Sequence, residues 1–232
     1  MNMYNIIRKL KRIIKPLMPN TIQNNLKAWS EWNWEKKGEE WSNTPEWKAS
    51  LAEHVLIPNV SLGSRVLEIG PGGGRWTEVL VERAKHLTLI DLTPKCIDLC
   101  KERFKNYKHI DYFVNDGKDI SFIPSDSIDC IWSWDVFVHV SATDIRDYMR
   151  QFERVLSPGG VGIIHHSKKG KNDTGWRSDM TAEKMKIYCN EYGLTLMRQF
   201  DSWDNDTVHI WPTLPPHKGP DIVSVFKKPL QQ

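Results

Sequence analysis

The chain has 232 residues, of which 40% are hydrophobic and 26% charged, and its formal net charge is +3. This length predicts one domain with an extension and a sizeable core, and the small net charge argues against nucleic-acid binding. No apolar run approaches the roughly 18 residues that indicate a transmembrane helix. The four cysteines form no Cys-x-x-Cys pair, which is typical of reduced thiols in a cytoplasmic protein.

The first 50 residues differ in composition from the rest of the chain. Residues 1–30 contain no acidic residue, and their basic and apolar residues predict an amphipathic helix over 1–17. Such a helix either contacts the inner face of a membrane peripherally or packs on protein, including the second subunit of a homodimer. Residues 20–50 contain five tryptophans, which predicts either a cap over a ligand pocket or a packed subdomain. We therefore divide the chain into an extension, 1–50, and a main domain, 51–232.

From residue 65 onward the predicted elements alternate between strand and helix, as in a parallel sheet with helices on both faces. The predicted strands span 65–69, 86–90, 110–114, 127–132 and 161–165. The predicted helices span 47–57, 76–83, 94–104 and 143–155. The end of the chain differs, because a helix over 182–192 precedes two strands, 194–200 and 221–227, with no helix between them. These two strands are expected to pair antiparallel.

A glycine-rich turn follows the first predicted strand. Glycines recur at every second position after Glu68, as Gly70, Gly72 and Gly74, and a helix is predicted immediately afterwards. Such a turn lets the backbone approach a ligand closely and directs helix N–H groups at it, so we expect a nucleotide-like ligand. The dinucleotide fingerprint Gly-x-Gly-x-x-Gly/Ala would require a small residue where this chain has Arg75, which argues against a nicotinamide dehydrogenase.

The spacing Glu-x-Gly-x-Gly-x-Gly resembles that of class I S-adenosylmethionine-dependent methyltransferases. Other features of that family recur over about residues 60–228: Asp91 after the second strand, Asp116-Gly117 after the third, Pro158-Gly159-Gly160 before the fifth, and the terminal hairpin. The resemblance implies an α/β, Rossmann-like fold. Its seven-stranded, mostly parallel sheet would have the order 3-2-1-4-5-7-6, with the last strand antiparallel.

The same resemblance implies the residues that hold S-adenosylmethionine. Asp91 would accept hydrogen bonds from the two ribose hydroxyls, and Asp116 from the adenine amino group. The full set of implied cofactor contacts is Glu68, Gly70, Gly72, Gly74, Trp76, Asp91, Leu92, Asp116, Gly117, Ser133 and Trp134. For Glu68 a structural role, orienting the glycine turn, is the alternative.

Candidate catalytic residues follow the fourth and fifth strands. A hydroxyl acceptor must lose its proton to a general base or near a metal ion, and the candidates are Asp135, His139, His165 and His166. The region resembles a subset of the family with Glu-x-x-Glu-His at the fourth strand, some of which bind Mg²⁺ or Mn²⁺. Asp135 and His139 match that motif, but Val138 replaces its second Glu. Three interpretations stay open: a metal site of Asp135, His139 and His166, a metal-free histidine base, and structural histidines.

Later segments offer acceptor contacts. Trp176 can stack on a sugar ring, and Arg177 can bind a phosphate or carboxylate; a loop with one packed tryptophan is the alternative. The whole pattern resembles bacterial sugar O-methyltransferases of polysaccharide synthesis, which implies a small-molecule or glycan acceptor. The alternatives are an N- or phosphate-directed small-molecule methyltransferase and a non-catalytic cofactor-binding partner.

Overall fold

The computed structural model describes residues 20–170, 177–215 and 217–230. The helix predicted over 1–17 and the candidate acceptor residue Trp176 lie outside these residues. The strands are β1 (Ser64–Ile69), β2 (Ala84–Asp91), β3 (Ile110–Val114), β4 (Ile128–Phe137), β5 (Leu156–Ser167), β6 (Thr195–Phe200), β7 (Ser202–Trp203), β8 (Val208–His209) and β9 (Asp221–Lys227). The α-helices are α1 (Ile22–Glu31), α2 (Pro45–Leu51), α3 (Thr77–Leu80), α4 (Pro94–Arg103), α5 (Ala142–Val155) and α6 (Ala182–Glu191).

Seven of these strands form one sheet in the order β3-β2-β1-β4-β5-β9-β6. The first five pair in parallel, whereas β9 lies antiparallel to both β5 and β6. The predicted Rossmann-like fold and strand order are therefore confirmed, with β9 as the seventh strand of the prediction. The carboxyl ends of the five parallel strands face the same edge, which is where open α/β sheets bind ligands.

The sheet is covered on both faces, so its central strands are buried on both sides. One hydrophobic cluster joins α2 and α4 to one face of the sheet, and it includes Leu51, Ile97 and Trp132. The other joins α5 and α6 to the opposite face, and it includes Phe152, Met185 and Phe226. This double cover explains why β1, β2 and β4 are buried over consecutive positions rather than at alternate ones.

Several predicted elements differ in extent from the observed ones. β4 and β5 are longer than predicted, and β5 includes the Pro158-Gly159-Gly160 segment that was expected before it. The helix predicted over 76–83 is reduced to the four residues of α3. The helix predicted over 47–57 begins at Pro45, after the Thr44 hydroxyl accepts the Trp47 N–H at 3.1 Å. Beyond Leu51 it continues as a π-helix and then a short 3₁₀ turn.

The loop between β6 and β9 contains a small hairpin, β7–β8, that the sequence did not predict. Its strands are two residues long, too short for a periodic pattern to show. The hairpin packs on α2: the Trp203 indole N–H donates to the Ser50 hydroxyl at 3.0 Å, and the Trp47 indole N–H donates to the His209 carbonyl at 2.9 Å. The extension and the late loop therefore meet at the carboxyl edge of the sheet.

No helix within the described ranges combines the length and the apolar composition needed to cross a bilayer.

Glu68 fixes the end of β1 relative to the start of α3. Its side chain is buried, and its Oε2 accepts a hydrogen bond from the Thr77 hydroxyl at 2.6 Å. Burial raises the pKa of Glu68 to about 8, although the Thr77 hydrogen bond and the charge of Arg75 oppose the shift. Its contact is with Thr77, at the base of the glycine turn, as the structural alternative for Glu68 requires.

The raised pKa makes stability depend on pH through this residue. The folded protein binds the Glu68 proton more tightly than the unfolded chain, whose Glu pKa is about 4.5. This contribution to the free energy of unfolding is complete below pH 4.5 and is lost as the pH rises to about 8. One pKa unit corresponds to about 1.4 kcal/mol, so the free energy of unfolding of the wild type should fall by up to a few kcal/mol over this pH range. We expect this fall to be absent in Glu68→Gln.

Denaturant unfolding at several pH values between 5 and 9 tests this expectation. Glu102→Gln, at an exposed position on α4, is the matched control and should keep the wild-type pH dependence. Parallel profiles of the wild type and Glu68→Gln would show that Glu68 does not carry the effect.

Candidate cofactor and acceptor site

One cavity of about 930 Å³ lies at the carboxyl edge of the sheet, between the ends of β1, β2, β4 and β5 and the extension. Its walls include the glycine turn, Asp91, Trp134, His165 and Arg177. This volume is near the upper end of the roughly 300–1,000 Å³ range of small-molecule pockets. It therefore has room for a cofactor with a small acceptor beside it.

The glycine turn forms the floor of this cavity. Gly70 has φ of 71°, and a Cβ placed on it would lie 2.3 Å from Val136 Cγ2. Gly72 has φ of 57°, and a Cβ there would lie 2.6 Å from the Trp34 ring. Both positions require glycine for two reasons. A side chain would clash with Val136 or Trp34, and any other residue would be strained at a positive φ. The turn is thus a backbone surface on which a ligand can lie directly, as the cofactor hypothesis requires.

Gly74 is part of the same turn but not of the cavity wall. Its N–H donates to the Pro71 carbonyl at 2.9 Å, closing the turn, and its Cα faces Phe104.

Asp91 occupies the end of β2 beside the turn. One carboxylate oxygen accepts the Thr93 N–H at 2.8 Å and the Thr93 hydroxyl at 2.9 Å, and the other accepts the Gly72 N–H at 3.3 Å. Burial raises the pKa of Asp91, against these hydrogen bonds, which favour the carboxylate. The long 3.3 Å contact leaves acceptor capacity at the oxygen that faces the turn, in the position expected for a ribose contact.

Of the three residues that follow β3, two line the cavity and one faces solvent. Asn115 and Gly117 lie on the cavity wall, as does Leu92, whereas Asp116 is exposed. One Asp116 carboxylate oxygen accepts the N–H groups of Lys118 and Asp119 at 3.0 and 2.8 Å. Asn115 was not singled out from the sequence, and only its position next to Asp116 could have indicated it.

Within β4 the two expected cofactor contacts, Ser133 and Trp134, point to different places. Trp134 and Trp76 line the cavity with their rings 6.0 Å apart. Ser133 is fully buried and donates to the Ile69 carbonyl at 2.8 Å, so it ties β4 to β1 instead of facing the cavity.

The tryptophans of the extension form the wall opposite the glycine turn. Trp29, Trp34 and Trp41 contact one another at ring distances of 5.6–6.2 Å. The segment is attached to the main domain by Lys95, which donates to the Ser30 and Trp32 carbonyls at 3.1 and 2.8 Å. This placement agrees with the cap alternative for residues 20–50.

A bulge in β4 brings Asp135 and His165 together. The β4–β5 register shifts between Ser133 and Phe137, and Asp135 has φ of 62°, so its side chain leaves the regular pleat. His165 Nδ1 lies 3.1 Å from an Asp135 carboxylate oxygen and 3.2 Å from the Asp135 backbone N. The His165 ring stacks on Trp134 at 4.5 Å. These contacts fix the imidazole at the cavity wall.

Arg75 completes this group by pairing with the second carboxylate oxygen of Asp135. Burial alone would raise the pKa of Asp135, but the Arg75 charge and the His165 hydrogen bond together hold that pKa well below its ordinary value. Asp135 is therefore a permanent carboxylate that can orient the imidazole and stabilise its protonated form.

His166 faces away from this group because successive residues of a strand point to opposite faces of the sheet. It is buried, with Nε2 2.7 Å from the Ser224 hydroxyl and Nδ1 2.8 Å from the Ser167 carbonyl. Burial lowers the pKa of His166 to about 3, which favours the neutral ring. The geometry therefore favours His165 over His166 as the candidate base.

The tentative metal set does not assemble among the described residues. His139 lies on the cavity wall, where its ring packs against Trp29 at 5.3 Å, and His166 is on the other face of β5. No group of three histidine, cysteine or acidic residues in the described ranges is arranged to hold a metal ion. Asp135, the remaining candidate ligand, is paired with Arg75. These residues do not fit Mg²⁺ or Mn²⁺.

Arg177 lies on the cavity wall beside Trp211, and its guanidinium is 5.4 Å from the Trp211 ring centroid. Both residues donate to the same Oδ2 of Asp221, at 3.0 Å from Arg177 and 2.9 Å from the Trp211 indole. Sequence reasoning selected Arg177 but not Asp221, which reads as the first residue of an ordinary strand.

Residues 66–160 match the model of the family described as a methyltransferase domain. Demethylmenaquinone methyltransferase of Tropheryma whipplei (strain Twist) is 31% identical over 105 residues, 45% of this chain and 42% of that protein. Nodulation protein S of Rhizobium tropici is 28% identical over 155 residues, 66% of this chain and 64% of that protein. The chain thus aligns with less than two thirds of the length of each of these relatives.

A solved structure with a similar fold is the N-methyltransferase NodS of Bradyrhizobium japonicum WM9, in complex with S-adenosylhomocysteine. Its TM-score is 0.65 at 20% identity, over 89% of this chain and 99% of that one. At 20% identity this likeness shows a shared fold, and residues 66–160, less than half of the chain, match the methyltransferase domain family.

Proposed function

We propose that this protein transfers a methyl group from S-adenosylmethionine to a hydroxyl of a sugar or a related small molecule. The observation that carries the proposal is the Asp135–His165 pair, which lines the same cavity as the glycine turn. A hydrogen-bonded carboxylate and imidazole beside a cofactor cradle is the arrangement that a general base requires.

The cofactor half of the proposal rests on the chemistry of the cradle. Gly70, Pro71 and Gly72 line the cavity at the end of β1, and Asp91 can accept from ribose hydroxyls at the end of β2. Once bound, S-adenosylmethionine supplies an electrophilic methyl group on a positively charged sulfur. The aromatic walls from Trp34, Trp76 and Trp134 exclude water from the region in which that methyl would lie.

The acceptor half rests on which His165 nitrogen is free. His165 Nδ1 lies 3.2 Å from the Asp135 backbone N and 3.1 Å from the Asp135 carboxylate. We assign the proton to Nδ1, as the donor to the carboxylate, because a charge-assisted hydrogen bond is the stronger one. Nε2 then carries the lone pair, and it has no hydrogen-bond partner among the described residues. As the acceptor oxygen attacks the methyl carbon, its proton passes to Nε2, and Asp135 stabilises the resulting imidazolium. The sulfur takes the electrons of the broken S–CH₃ bond and becomes neutral.

The runner-up function is N-methylation of a small molecule, because the NodS structure with a similar fold is that of an N-methyltransferase. An amine acceptor also has to lose a proton, so His165 would serve it in the same way. A screen of hydroxyl and amine acceptors with labelled cofactor separates the two.

The proposed location is the cytoplasm, and the proposed membrane or homodimer contact concerns residues 1–17, outside the described ranges.

Asp91 provides a direct test of cofactor binding. We expect Asp91→Ala to weaken S-adenosylhomocysteine about 10- to 100-fold, since hydrogen bonds to charged groups are worth about 1.5–3 kcal/mol. Calorimetric titration measures the change. The control is Asp98→Ala, at an exposed position on α4, which should bind as the wild type does. No binding by the wild-type protein would remove the cofactor assignment.

His165 and His166 form a matched pair for testing the base. We expect His165→Ala to lower turnover by about 10²- to 10⁴-fold, the usual contribution of a general base, and to leave S-adenosylhomocysteine affinity within twofold of wild type. His166→Asn, on the other face of β5, should keep most of the activity if the protein stays folded, which its melting temperature reports. Loss of activity confined to the His166 variant would reject His165 as the base.

A further inference from the structure

Two buried hydrogen-bond acceptors, one on the proposed base and one on a neighbouring carboxylate, lack partners. His165 Nε2 and Asp221 Oδ1 are both buried, and neither has a hydrogen-bond partner among the described residues. They are close neighbours, since Nε2 lies 3.8 Å from Oδ2 of the same Asp221 carboxylate. Folded proteins leave few buried polar atoms unpaired, and such atoms mark places where a ligand or water completes the bonding.

The position of the Asp221 carboxylate is fixed by its other oxygen. Oδ2 accepts from Arg177 at 3.0 Å and from the Trp211 indole at 2.9 Å. Both donors line the cavity, so Asp221 lies directly behind the wall that they form. The hydrogen bonds to Oδ2 fix the orientation of the carboxylate, and Oδ1 accepts no hydrogen bond from the described residues.

Nearby donors are unpaired as well. Arg75 Nη1 and Trp76 Nε1 are buried without hydrogen-bond partners among the described residues, and both side chains line the cavity. The cavity wall thus carries the unpaired His165 Nε2 and two unpaired donors, and the unpaired Asp221 Oδ1 lies behind it. An apolar acceptor would leave all four unpaired, whereas a ring with several hydroxyls can pair with both kinds because a hydroxyl donates and accepts.

We propose that Asp221 is a specificity-determining residue that selects an acceptor with two neighbouring hydroxyls. One hydroxyl donates to His165 Nε2 and is methylated, and the adjacent hydroxyl reaches past the Arg177 and Trp211 side chains to donate to Asp221 Oδ1 behind them. This inference rests on the proposed function and narrows its acceptor to a vicinal diol. A lone hydroxyl would satisfy Nε2 and leave Oδ1 unpaired, and sites built to bind a hydroxyl discriminate strongly against analogues that lack it.

Vicinal diols occur on saturated sugar rings and on aromatic catechol rings, and both rings can stack on tryptophan. The probes are therefore methyl hexosides with their single-deoxy analogues, and catechol with phenol. Binding is measured by calorimetry on the full chain saturated with S-adenosylhomocysteine, and methyl transfer is measured separately with labelled S-adenosylmethionine. The diol class that binds identifies the source of the acceptor.

We expect the wild type to bind a diol probe about 10- to 100-fold more tightly than its matched mono-ol, from the value of one hydrogen bond to a charged group. Asp221→Ala should lose this preference by weakening diol binding more than mono-ol binding, since it also releases Arg177 and Trp211. Asp221→Asn, which keeps the shape and the Arg177 and Trp211 neighbours, serves if the alanine variant does not fold. Asp204→Asn, at an exposed position in the loop that precedes β9, is the control and should retain the preference.

The outcomes separate the two proposals. An unchanged diol preference in both Asp221 variants, or no diol binding by a wild type that still binds S-adenosylhomocysteine, overturns the role of Asp221. Diol binding that depends on Asp221 without any methyl transfer supports the recognition role and rejects the proposed reaction.

Discussion

The structure depends on the close approach of other segments to the glycine turn. Val136 from β4 packs against Gly70, and Trp34 from the extension packs against Gly72, at distances that leave no room for a side chain. The cradle is therefore made by three segments far apart in sequence, with β1 supplying only its floor. Val136 and Trp34, which close the cradle, line the same cavity as Asp135 and His165. The proposed cofactor and acceptor positions therefore lie in one cavity.

Arg75 links the two halves of this space. It stands where a dinucleotide-binding turn would need a small residue, and its guanidinium instead reaches Asp135 on β4. There it keeps the carboxylate charged, and the carboxylate in turn orients His165. The residue that argues against a dehydrogenase from the sequence is thus the one that prepares the proposed base, which explains how the turn and the chemistry are coupled.

The acceptor side is built by the late part of the chain. The antiparallel placement of β9 between β5 and β6 puts Asp221 opposite Ser167, two residues beyond His165 on β5. The β7–β8 hairpin and Trp211 then close over this edge from the loop that precedes β9.

The sequence by itself determined the fold, because strand periodicity, the glycine spacing and the missing helix before β9 are all local signals. It also located the cofactor edge, since Asp91 and the glycines stand at strand ends that the parallel topology aligns. Only the tertiary structure decided which of His165 and His166 faces the cavity, because a bulge in β4 sets the side-chain direction there. Asn115 and Asp221 likewise gained their places from packing between distant segments, which no local pattern records.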